Sequence, residues 1–179
     1  NKALSLSGTT TLVNAANQAD KDEKKTATIP ALITAGDYYA QQQAWEVAVT
    51  LPASSTYTKV SLFGFSAVAG SVKGIELSGG AVKYYDGTTA KSLSGVNLSA
   101  GGTYRFKRVL DFTNKTSSYY VYNASGTLLG SAENVAMAFT GVTLPVSKIT
   151  ISTTGANSAV VVDNYKLYPC LLYTSDAAD

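Results

Sequence analysis

Histidine is absent from the 179 residues, and cysteine, methionine and tryptophan occur once each. Without imidazole there is no His general base, no Ser-His-Asp or Cys-His nucleophile, and no His metal ligand. The lone cysteine, Cys170, forms no intrachain disulfide. Charge is scarce as well: 15% of residues are charged and 45% are apolar, a balance that excludes a largely disordered chain. The net charge is +2 and the cations are scattered; Arg105, Lys107 and Arg108 fall in one predicted strand and read as a solvated face. Such a balance points to neither nucleic acid nor membrane insertion. No apolar run reaches membrane-spanning length. No signal-peptide pattern precedes the opening NKALSLSG, so the chain reads as an excerpt of a longer polypeptide.

Gly, Ser, Thr, Val and Tyr are plentiful, a bias toward strands and tight turns. The apolar pattern has period two almost throughout, as half-buried strands require. ALSLSG and TTTLVNA open the chain as two strands around Gly8. The polar stretch NQADKDEKK follows as a loop, and TATIPALIT, with Pro30, belongs at an edge or a bend. AQQQAWE fits a connection or a single helical turn, and AWEVAVTL is a strand with Trp45, Val47, Val49 and Leu51 on the core face. In KVSLFGFSAV, Val60, Leu62 and Gly64 alternate with Phe63 and Phe65. Gly79-Gly80 and Asp86-Gly87 are hairpin dipeptides that divide residues 74–95 into three short strands. TYRFKRVLDF places Tyr104, Phe106, Arg108, Leu110 and Phe112 on one face. SYYVYN, TLLGSA, KITIS and AVVVDNYKLY complete the strands, while ENVAMAFTGVTL reads as loop or short helix. Ten to twelve short strands with regular turn signals predict an all-β antiparallel sandwich filling residues 1–169 as a single module.

TYRFKRVLDFTNKTSSYYVYNASG, followed some thirty residues later by VVVDNYKLYP, resembles the latter half of concanavalin A-like (laminin-G-like) jelly-roll modules. The resemblance spans Ala3 to Tyr168 and is distinctive over Thr103 to Tyr168. It implies a module of a large secreted or surface-exposed bacterial protein. It also implies that ALSLS lies beside DNYKLY, each strand covering the other's open edge. The last ten residues, CLLYTSDAAD, resemble something else: a transposase-type sequencing adapter translated through the end of a short insert. One codon choice reproduces that adapter throughout. Residues 170–179 are therefore expected to be a non-native tail of shotgun or metagenomic origin, and Cys170, Asp176 and Asp179 drop out of the functional reading.

Glucanases of this fold carry a Glu-x-Asp-x-x-Glu cluster on one strand, and no such triplet occurs. The acids are dispersed, so any catalytic pair must come from distant strands. Aromatic rings are the better candidates, since sugar-binding modules of the resembled kind stack pyranoses on them. Adjacent tyrosines on a strand point to opposite faces, leaving one of each pair available to a ligand. Tyr84 and Tyr85 with Asp86 at a hairpin tip, Tyr119 and Tyr39 are accordingly the candidate carbohydrate-binding residues; rings filling the core is the alternative for each. Trp45, beside three aliphatic residues, reads as core. The resemblance also implies a structural calcium ion, for which Asp163 in VVVDNYKLY occupies the matching position. Three Asn-x-Ser/Thr sites carry no weight in a bacterial chain, where Asn and Ser are ordinary turn residues.

The expectation is a non-catalytic, extracellular or cell-surface module that binds a polysaccharide or glycan and is joined to neighbouring domains of the same chain. A structural spacer or adhesion module without a ligand is the alternative, and a glycan-active enzyme domain comes third.

Overall fold

A computed structural model describes residues 4–6, 9–13, 42–67, 70–139 and 148–169. Among these the regular structure is entirely antiparallel strand. One sheet runs in the order β1 (Leu4–Leu6), β13 (Val160–Pro169), β3 (Gln42–Thr50), β9 (Thr103–Asp111), β10 (Thr116–Asn123), β11 (Leu128–Ala136). We call it the front sheet. The back sheet runs β2 (Thr9–Val13), β12 (Lys148–Thr154), β4 (Lys59–Ala67), β6 (Ile75–Ser78), β7 (Ala81–Asp86), β8 (Thr89–Asn97), with β5 (Gly70–Val72) paired onto β4. The chain crosses between sheets from β1 to β2, β2 to β3, β3 to β4, β8 to β9, β11 to β12 and β12 to β13. This is the two-sheet jelly-roll sandwich that the period-two pattern predicts.

The predicted pairing of the first and last strands is present. Leu4, Ser5 and Leu6 face Val162, Val161 and Val160, so the opening strand pairs with the first half of β13 and not with its DNYKLY half. Gln42 and Gln43, read as connection or helical turn, begin β3. Residues 133–136 extend β11 instead of forming a helix. The Pro30 segment and the tail 170–179 lie outside the described residues.

Alternation builds the core directly. Trp45, Val47 and Val49 from β3, Phe106 and Leu110 from β9, and Tyr119 and Val121 from β10 face inward onto Val60, Leu62, Ile75, Leu77 and Ile151 of the back sheet. Alternation fails where β12 pairs with β4. Thr150 pairs with Gly64 and Ser152 with Ser61, so Leu62 and Phe63 together oppose a single residue of β12. At this bulge Phe63 takes a φ of 61°, a left-handed conformation rare for a bulky side chain. Both Leu62 and Phe63 are buried as a result, which the simple alternation of KVSLFGFSAV does not predict. Gly74 lies alongside: a Cβ there would come within 2.4 Å of the Leu62 carbonyl oxygen, so only glycine permits the approach.

The bulge also serves an unusual core cation. Arg108, read from sequence as part of a solvated basic strand, is fully buried. Its Nη1 donates to the Phe63 carbonyl at 2.6 Å and its Nε to Ser117 Oγ at 3.0 Å. The rings of Phe65 and Tyr119 lie over the guanidinium at 5.3 and 5.2 Å. Burial lowers its pKa from the usual arginine value, and its Nη2 has no hydrogen-bond partner among the described residues. Hydrogen bonds and ring faces take the place that a carboxylate usually fills.

Candidate functional site

The two tyrosine pairs obey the strand rule. Tyr84 and Tyr119 turn inward and meet, ring centroids 5.8 Å apart. Tyr119 is 1% exposed, so its ring offers no face to a ligand. Tyr85 points the other way, onto the outer surface of the back sheet, yet is also nearly buried there. Its hydroxyl donates to Glu76 Oε2 at 3.1 Å and the Lys73 ammonium covers its ring at 4.9 Å. Burial, then the bond to Glu76, raises the Tyr85 pKa above its ordinary value. Tyr85 walls a small hollow of about 230 Å³ together with Lys59, Ser61, Lys73 and Glu76. Asp86 is half-buried and forms an ion pair with Lys91 across the β7–β8 hairpin. Tyr39 lies outside the described residues.

Asp163 sits at a second irregularity, where β13 skips between Asp163 and Lys166 in its pairing with β3. Its carboxylate accepts the Asn164 backbone N–H at 2.7 Å. Calcium takes six to eight oxygens from carboxylates, carbonyls and waters. Among the described residues no group of three or more acids gathers to hold a metal ion.

A larger concavity lies on the outer surface of the front sheet, and among the described residues none of those singled out lines it. The groove holds about 490 Å³ and crosses four strands. Asn164 and Lys166 of β13, Glu46 and Ala48 of β3, and Thr103 and Arg105 of β9 form its floor, and the β10–β11 turn from Asn123 to Gly126 forms its wall. Outward-facing Ala48 leaves the space, because the outer face of β3 alternates small residues with Glu46. The wall is well fixed. Asn123 Oδ1 accepts from the Thr127 backbone N–H at 2.8 Å and from Ser125 Oγ at 2.7 Å, and Gly126 closes the turn at a φ of 87°.

Electrostatics in the groove centre on Glu46. In register, Lys166 and Lys107 are its neighbours on either side. Arg105 Nη1 bonds its Oε2 at 3.2 Å and Lys107 Nζ lies 3.9 Å from Oε1. The cations in turn rest on tyrosines that face outward from β10: Arg105 over Tyr122 at 4.2 Å, Lys107 over Tyr120 at 5.9 Å. Tyr120 and Tyr122 stack on each other, centroids 6.5 Å apart and planes 21° from parallel. Burial, then nearby Glu133, raises the Tyr120 pKa. The signal in sequence was the hairpin register. Arg105 opposes Tyr122 and Lys107 opposes Tyr120, so two alternating patterns interlock on one surface.

No family model matches the chain, and no curated protein is similar to it in sequence. Solved structures share its fold. The catalytic domain of a glycoside hydrolase family 131 protein from Coprinopsis cinerea superposes with a TM-score of 0.54 at 14% identity, over 76% of this chain and 60% of that one. A protein of unknown function from Shewanella oneidensis gives 0.52 at 19% identity, over 73% and 57%. A Trypanosoma rangeli sialidase gives 0.51 at 18% identity, over 72% of this chain and 20% of the sialidase. The chain thus spans less than two thirds of each of these proteins, and at such identities the likeness is one of fold: an all-β, concanavalin-like antiparallel sandwich.

Proposed function

We propose that this chain is a non-catalytic glycan-binding module, exported or displayed at the cell surface as part of a larger protein, and that the front-sheet groove is its binding site. The observation that carries this reading is the groove itself, which is open and crosses four strands. Hydroxyl, amide and charged groups from Thr103, Asn123, Ser125, Arg105, Lys166 and Glu46 line it. Saccharide hydroxyls are recognised by such convergent donors and acceptors on a pre-formed surface. The fold neighbours include proteins named for acting on glycans, which fits the reading without assigning a ligand.

Support for binding without hydrolysis comes from the acids. Glycoside cleavage by the common route needs two carboxyls flanking the scissile bond. Among the described residues lining the groove, Glu46 is the one carboxylate, and it is tied to two cations.

Affinity electrophoresis of the protein through gels holding different polysaccharides tests the reading, with reducing-end release measured in parallel. Retardation by a polysaccharide without new reducing ends is the expected result. Release of reducing ends assigns an enzyme, and free migration through every gel assigns the spacer role.

A further inference from the structure

If the groove binds a glycan, its chemistry narrows the class. We propose that the ligand is an acidic polysaccharide whose carboxylates, as in a polyuronate, are received by Arg105 with Lys166 and Lys107 beside it. The inference rests on the glycan-binding reading and adds the charge of the ligand.

Depth is the first argument. The Glu46 side chain is 8% exposed, whereas those of Arg105 and Lys107 are 40% and 25% exposed. Lys166, on the opposite flank of Glu46, is exposed as well. An incoming ligand therefore meets Arg105 and Lys166 in the groove lining, with Lys107 next to it, and the acid that anchors Arg105 and Lys107 lies beneath. Three further acids on this sheet are outside the groove lining: Glu133 is near Tyr120, Asp111 accepts from Gln42 and Asn114, and Asp163, beside Ala48 in register, accepts the Asn164 N–H.

Ring geometry is the second. Neutral sugars are held by stacking on open aromatic faces. Here Arg105 covers Tyr122, Lys107 lies over Tyr120, and the two rings stack on each other. The rings are used to hold cations in place. A guanidinium held over a tyrosine ring, with one nitrogen bound to Glu46, still has further N–H groups in its planar fork, which suits a carboxylate. The net charge of the whole chain is only +2, so this is a local feature and not a generally basic surface.

The test is binding of the full chain to polygalacturonate, to a neutral β-glucan and to dextran sulfate, each at low and moderate salt. Arg105→Gln and Lys166→Gln are compared with the parent, and thermal melts confirm that each variant is folded. Polygalacturonate is expected to bind best and to weaken as salt screens the cations. Arg105→Gln should lower its affinity about tenfold or more, as loss of a charge-assisted fork implies, and Lys166→Gln by less. Because the two variants lie on different strands, a folding defect in one leaves the other to decide. Salt-insensitive binding of the neutral glucan, with no gain for polygalacturonate, overturns the acidic ligand but keeps the glycan-binding reading. Equal retention of polygalacturonate and dextran sulfate in parent and both variants is plain ion exchange and overturns the inference. Binding to none of the three removes both readings.

Discussion

Tyr84-Tyr85 and Tyr119-Tyr120 are the same dipeptide on two sheets, and the comparison shows how little a residue's identity fixes its role. In each pair the first tyrosine faces inward, and the two inner rings meet across the sandwich. The outer partners then diverge. Tyr85 is closed over by Lys73 and bound to Glu76, which spends its hydroxyl and its ring on the back sheet itself. Tyr120 has Tyr122 two residues on and Lys107 opposite in register, so it becomes part of a row. What separates the two is the neighbouring strand. A cross-strand partner of the right kind converts a solvent-facing ring into part of a surface with a purpose.

The largest expected effect separates inner from outer tyrosines. Tyr119→Ala removes a fully buried ring that contacts both Tyr84 and Arg108. It should cost about 3 kcal/mol or more in urea unfolding. Tyr120→Ala, one residue away, should cost less than about 1 kcal/mol. Equal losses would erase the distinction.

A second experiment uses pH to ask which tyrosine is sealed. Burial raises the Tyr165 phenol well above its usual value near 10. Below pH 10 it is neutral whether folded or not, and its contribution to stability is fully present. Above that pH the unfolded chain releases the proton first, so stability falls as pH rises toward the folded value. Tyr165→Phe should reduce that alkaline loss by up to about 1.4 kcal/mol per pH unit, one proton's worth. An unchanged alkaline slope would place the phenol in contact with water.

The smallest effect concerns the cations of β9. Arg108→Met fills a similar volume without burying a guanidinium whose Nη2 lacks a partner among the described residues. It should leave unfolding free energy within about 1 kcal/mol of the parent. A loss above about 3 kcal/mol would mean that the bonds to Phe63 and Ser117 outweigh desolvation.

These contrasts also mark how far the sequence could be read. Strands such as AWEVAV and TYRFKRVL announce themselves because one face of each must be apolar, and the edge pairing of β1 with β13 was legible from the resemblance. The bulge at Phe63 was not, since an inserted residue leaves the local composition unchanged and shows only against the partner strand. Arg108 was counted with its exposed neighbours on charge, although its place among Phe106 and Leu110 already put it inside. The candidate site was the least legible part. Proximity in sequence favoured Tyr84, Tyr85 and Asp86, whereas the groove draws on residues 46, 105, 123 and 166, brought together by register alone. The β9–β10 hairpin was the one local clue, with Arg105 and Lys107 facing two tyrosines.

The buried guanidinium has one more consequence. Two greasy sheet faces held only by contact area are free to settle at several offsets, because hydrocarbon is indifferent to small slips. The bond from Arg108 on the front sheet to the Phe63 carbonyl on the back sheet is directional and reaches one particular atom. It acts as a dowel between two boards, setting their alignment while the apolar layer supplies the glue. The groove spans four strands of one board, so the same peg that fixes the offset also holds level the floor on which its cations stand.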